Sequence, residues 1–162
     1  MSFLSRAALA FCLLACTPAL AEELRGRVVA IADGDTLTLL VDRRQVKVRL
    51  AEIDTPEARQ PWGTRARQAV GALAARQEAR VVVMDVDRYG RTVGRVYVNG
   101  VDVNAELVRG GHAWVYRQYL RDRSLLPLEA EARAARRGLW SLPERDQVPP
   151  WVWRRQQRAS QR

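Results

Sequence analysis

The sequence predicts an α+β domain: a small five-stranded Greek-key β-barrel carrying about three helices. Three observations lead there. Five short β-runs are separated by hairpin signals, the helical periodicities enter late, and 162 residues suffice for one cored domain but are short for two. A parallel α/β sheet would instead alternate strands and helices from the start.

"GRVVAIADGDTLTLLVD" (26–42) gives two β-runs joined at Asp33-Gly34, a tight-turn signal. "QVKVRLA" (45–51) alternates as a third strand, with Val46, Val48 and Leu50 on one face and Arg49 on the other. From Thr64 to Gln77 the residues Ala66, Ala69, Val70, Leu73 and Ala74 recur at helical spacing. "ARVVVMDV" and "RTVGRVYV" are the fourth and fifth strands, and Asn99-Gly100 closes the second of them in a turn. "VNAELVRGGHAW" predicts a short helix ended by glycines. Leu128, Ala132, Ala135 and Leu139 predict a last helix, with Arg136 and Arg137 in its final turn and Gly138 at its C-cap. The tail, residues 143–162, is broken by prolines, aromatic and basic, with Trp151 and Trp153 expected to pin it onto the domain.

Residues 1–21 predict a secretory signal peptide. Arg6 precedes the apolar run "AALAFCLLAC", too short to span a bilayer, and Ala19-Leu20-Ala21 offers a cleavage site after Ala21. Acylation at Cys16 is the rival expectation, ranked second because Leu14 fits such a site poorly. The expected product is a secreted or periplasmic monomer with no stable membrane insertion, its domain spanning 22–142. Cys12 and Cys16 fall in the leader, so that domain has no disulfide and rests on its core or a bound ion. The formal charge is +9, almost entirely from arginine, with Lys47 the sole lysine. This excess favours polyanions, and the guanidinium fork matches phosphate oxygens.

Three polar clusters carry the candidate chemistry. "DGDT" (33–36) is a turn by default, yet Asp35 is held at a strand start. "RLAEIDTPE" (49–57) brings Arg49, Glu52, Asp54 and Glu57 together, and Pro61 prevents its being explained as a helix start. "DRYGR" (87–91) places arginines on both sides of a tyrosine at a strand junction. Asp35 and Asp54 suit a hard cation such as Ca²⁺, Glu57 suits a water-orienting or proton-accepting role, and Arg49 and Arg91 suit phosphate. Glu52 receives no role beyond a surface or supporting one.

With "DGDT", "RLAEIDTPE", "DRYGRTVGRVY" (87–97) and "NAELVRGGHAWVY" (104–116) in this order, the sequence resembles the staphylococcal (micrococcal) nuclease family from about Leu24 to Trp140. The resemblance implies an OB-fold barrel with three helices and Ca²⁺-dependent hydrolysis of DNA and/or RNA, leaving 3′-phosphate ends. It implies Asp35, Asp54 and the Thr55 carbonyl as metal ligands, Glu57 as general base or water-orienter, and Arg49 and Arg91 as phosphate-binding arginines. Arg88, Tyr89, Tyr116 and Tyr119 would contact the nucleotide, with Arg88 in place of the usual lysine and Arg117 at one of the tyrosine positions. His112, the one histidine, is expected to be a structural or surface residue rather than a base.

Two other function classes stand against this reading. A catalytically inactive nucleic-acid-binding module would lack one or more of the acids, and all three are present. A non-enzymatic interaction domain needs neither the acids nor the arginine pair.

Overall fold

The computed structural model describes residues 22–161, and the predicted signal peptide lies outside them. Five strands close a mixed barrel: β1 (Glu23–Ile31), β2 (Thr36–Val41), β3 (Arg44–Leu50), β5 (Glu78–Val86) and β6 (Thr92–Val98). The meander β1-β2-β3 is antiparallel, β1 also pairs with β5, and β5 with β6. A parallel pairing of β3 with β6, Val48 opposite Thr92 and Leu50 opposite Gly94, closes the ring. Two short pairs complete the strands: β4 (Ile53–Asp54) against β8 (Trp114–Val115), and β7 (Val101–Asp102) against β6. The OB-fold, α+β expectation holds.

Alternation fills the barrel. Val28, Leu37, Leu39, Val48, Leu50, Val81 and Val96 point inward and are buried, each contributing about 1.5–3 kcal/mol relative to exposure. Helix α1 (Gly63–Ala74) covers the core with Ala66, Val70 and Ala74, one residue per turn on a single face. It stops before the expected Gln77 because Ala75 is extended and Arg76 turns left-handed (φ 64°). Helix α2 (Val103–Arg109) is capped by the Asp102 carboxylate, which accepts from the Ala105 amide at 2.9 Å. Buried Asn104 then bonds the Val96 amide and the Ala51 carbonyl, tying α2 to the barrel wall.

The last third differs from expectation in two ways. Helix α3 (Leu125–Ala134) ends earlier, and Gly138 does not cap it. Gly138 instead begins a 3-10 turn at φ 57°, where a Cβ would lie 2.1 Å from the Gly111 carbonyl oxygen, so close approach selects glycine. The tail is not merely broken by proline: Pro149 and Pro150 start a fourth helix, α4 (Pro150–Ala159), because proline at a first helical position costs no hydrogen bond. Trp151 stacks on Tyr116 with ring centres 5.1 Å apart and meets Trp114 edge-on. Trp114, Leu139 and Trp140 form a second small core beneath α4. Among the described residues no helix is long and apolar enough to cross a membrane.

Candidate active site

The site is built where β3 leaves the barrel. After Leu50 the chain reverses through Glu52, which is left-handed at φ 65°, and β4 then pairs Asp54 with Trp114. Asp35 arrives from the other side, at the end of the β1–β2 loop. Its carbonyl accepts from the Leu50 amide at 2.8 Å, and its Oδ2 accepts from the Thr55 amide (2.9 Å) and hydroxyl (3.0 Å). Two distant strings thus meet as one acidic wall, with Asp35 6% and Asp54 1% exposed.

Arg49 joins the pair. Its Nη2 lies 3.2 Å from Asp35 Oδ2 and 3.0 Å from Asp54 Oδ1, while Nη1 donates to the carbonyls of Leu50 and Ile53. The guanidinium therefore faces protein oxygens and holds the turn. Burial pushes the Asp54 carboxyl above its ordinary value; the Asp35 charge adds to this, and hydrogen bonding from Arg154 opposes it. Asp33, behind Asp35, is pushed up to about 6 by burial and then by the Asp35 charge.

Arg91 enters from the β5–β6 turn. Asp87 organises that turn: Oδ1 accepts from the Tyr89 and Arg91 amides, and Oδ2 accepts from Arg91 Nε at 2.7 Å. Arg91 Nη1 reaches the Thr36 hydroxyl at 3.3 Å, and that hydroxyl donates to Asp35 Oδ1, also at 3.3 Å. Exposed Tyr89 lies alongside, its ring 5.7 Å from the Arg91 guanidinium carbon, and Arg88 bonds the Tyr89 hydroxyl at 2.8 Å. Arg88 and Tyr89 form a polar rim beside Arg91.

Glu57 stands at the mouth, its side chain 41% exposed. Its amide donates to Gln60 Oε1, and a Cβ at Gly63 would lie 1.9 Å from its carbonyl oxygen, so the turn is compressed against the start of α1. Its carboxylate is taken by a residue that the sequence reading missed. Arg154, on α4, donates from Nη1 to Glu57 Oε1 at 2.7 Å and from Nη2 to Asp54 Oδ2 at 2.7 Å. The available signal was Pro149-Pro150 followed by twelve residues without proline or glycine, which marks a helix start rather than a break.

The remaining candidates lie outside this cluster or border it. Tyr116 has one face covered by Trp151 and meets exposed Tyr119 edge-on, centres 4.8 Å apart. Arg117 pairs with buried Glu129 at 2.7 Å. His112 is structural in its contacts: Nδ1 accepts from Trp62 Nε1 at 3.1 Å, and burial lowers its pKa. Glu52 is not a surface residue. It is 5% exposed, and Oε1 accepts from the amides of Arg121 and Asp122 while Oε2 meets Arg95 at 3.2 Å.

Among the described residues no three His, Cys, Asp or Glu side chains cluster as a metal site. The donor set nevertheless suits a hard cation. Two buried carboxylates share one guanidinium, Asp54 is pushed up partly by its neighbour's charge, and Asp35 Oδ1 receives a single donor, from Thr36.

A family profile described as "Staphylococcal nuclease homologue" matches residues 47–142. The chain belongs to the staphylococcal nuclease family. Membership makes it a nuclease, with nucleic acid as substrate. Protein ParB of Escherichia coli is 48% identical over 93% of this chain and 90% of its own length. The micrococcal nuclease of Shigella flexneri is 44% identical, covering 96% of this chain and 94% of its own. An uncharacterized endonuclease of Escherichia coli O157:H7 is 44% identical over 85% of this chain and 89% of its own.

Proposed function

We propose that this staphylococcal nuclease homologue is an exported, Ca²⁺-dependent endonuclease that hydrolyses phosphodiester bonds of DNA and/or RNA and leaves 3′-phosphate ends. The supporting observation is the convergence of Asp35, Asp54, Glu57, Arg49 and Arg91 from separate strands and loops onto one opening. Asp35, Asp54 and the Thr55 carbonyl would hold Ca²⁺. When bound it supplies positive charge to a phosphate oxygen.

Glu57 is the one acid of the three at the surface, so it can orient a water and accept its proton. Attack of that water forms the new P–O bond as the P–O5′ bond breaks. The phosphate stays on the 3′ side, and the 5′-oxygen takes a proton from solvent. Charge accumulating on the phosphoryl oxygens faces Arg91, whose position Asp87 fixes through Nε, and the Arg49 charge lies behind the carboxylates. Arg88, Tyr89 and Tyr119 border the substrate path, and Tyr116 supports it from beneath Trp151. Export rests on residues 1–21, with cleavage after Ala21, and the enzyme acts as a monomer.

The test is a nuclease assay of residues 22–162 with Ca²⁺, in parent and Glu57→Gln. Cleavage should stop with a calcium chelator, and the variant should be slower by roughly 10²- to 10⁴-fold, the worth of a positioned base. Its affinity, set by arginine contacts to phosphate, should hardly change. Undiminished cleavage by Glu57→Gln would remove Glu57 from the mechanism.

A further inference from the structure

Arg154 makes the most complete ion pairing in the site and belongs to none of the strands that build it. Its two terminal nitrogens grip the buried Asp54 and the half-exposed Glu57, both at 2.7 Å, with a third contact to Asp54 Oδ1 at 3.3 Å. The guanidinium thus neutralises a proposed cation ligand and the proposed base together. A hard cation needs the Asp54 oxygens that Arg154 occupies, and two cations repel when they share one carboxylate.

The helix that carries Arg154 is seated mainly at its first turn. Pro150 is buried, Trp151 stacks on Tyr116, and the Val148 carbonyl just before it accepts from Gln60 at 2.5 Å. From Arg155 to Gln161 the residues are exposed. A groove of about 350 Å³ lies beside Arg154, lined by Glu57, Arg59, Trp153, Gln157 and Arg158. That space lets the side chain leave the carboxylates without disturbing the barrel.

We infer that Arg154 is an internal counter-cation that competes with the divalent ion for Asp54 while engaging Glu57, and so sets the cation affinity of the site. This rests on the Ca²⁺ reading above. Arg154 holds the acidic wall together in the ion-free protein and withdraws toward the groove when the site loads. It is a positioning residue of the metal site, acting through the two carboxylates.

The test is calorimetric titration of Ca²⁺ into residues 22–162 without nucleic acid, for the parent, Arg154→Ala, Arg154→Gln and Arg158→Ala. A charged partner at contact distance shifts a carboxylate's proton affinity by roughly ten- to a thousandfold, so Ca²⁺ affinity should rise by about tenfold or more in both Arg154 variants. Arg158→Ala removes the same charge from the exposed part of α4 and should leave affinity near the parent's. The glutamine variant preserves side-chain bulk should alanine unsettle the helix. Unchanged or weaker binding in the Arg154 variants would overturn the inference while leaving the calcium reading intact. An equal rise in Arg158→Ala would also overturn it, by showing bulk charge alone. Absence of Ca²⁺ binding in every protein would sink both readings.

Discussion

Glu52 and Asp54 stand two residues apart, and both are nearly fully buried. Their surroundings are opposite. Glu52 receives two backbone amides and Arg95, and Arg95 is itself held by Asp102 and Asp122 at 2.7 and 2.6 Å. Among the described residues Asp54 receives only side-chain guanidiniums, and it shares Arg49 with a second carboxylate. Glu52, enclosed by two backbone donors and the Arg95 guanidinium, is part of the frame. A buried acid beside another acid is an unbalanced charge, and such imbalance marks a site that takes a ligand.

The comparison predicts different costs of removal. Glu52→Ala leaves two amides without their acceptor, while Arg95 keeps Asp102 and Asp122, and should lower the unfolding free energy by about 1–3 kcal/mol in urea titrations. A loss under about 1 kcal/mol would erase the distinction. Asp54→Asn keeps an acceptor for Arg154 and removes the repulsion with Asp35. It should change stability by less than about 1 kcal/mol, while nuclease turnover falls by roughly 10²-fold or more. A collapse of stability in that variant would make Asp54 a structural acid like Glu52.

Half-buried His112 offers a third titratable group and the smallest effect. Its folded pKa is lowered from 6.5 by burial, so the unfolded chain takes up a proton before the folded one does. Its contribution is present above pH 6.5 and lost as pH falls below it. Asp33 has the opposite sign: raised from 3.8 to about 6, it favours the folded state at low pH and loses that contribution as pH climbs through this range. Comparing His112→Gln with the parent cancels Asp33, and the variant's stability should vary less between pH 7 and 5. Parallel curves would show that His112 does not couple to folding.

Much of this was legible locally. The Asp35, Arg49, Asp54, Glu57 and Arg91 strings each carry their own turn chemistry, and strand alternation announced the barrel core. Arg154 escaped because its partners lie 100 and 97 residues away, and nothing in a basic tail says which arginine will find a carboxylate. Glu52 escaped because its donors come from the backbone at 121–122, whose position follows from folding rather than from residue type. Helix α3 ends early because Arg136 turns left-handed (φ 52°) and the Arg137 amide closes back on the Ala132 carbonyl at 2.9 Å, an end that a non-glycine residue does not announce.

The parallel seam between β3 and β6 has a consequence for the producing cell. Arg49 lies opposite Val93 across that seam, two positions beyond Arg91, so the arginines and the acids assemble only as the ring shuts. Joining segments more than 40 residues apart is a late and comparatively slow event in folding, since the entropy of closing the intervening loop must first be overcome. Until then the acids and Arg91 sit on separate stretches of chain. A nascent polypeptide therefore carries no assembled site, and cleavage of nucleic acid begins only where folding finishes.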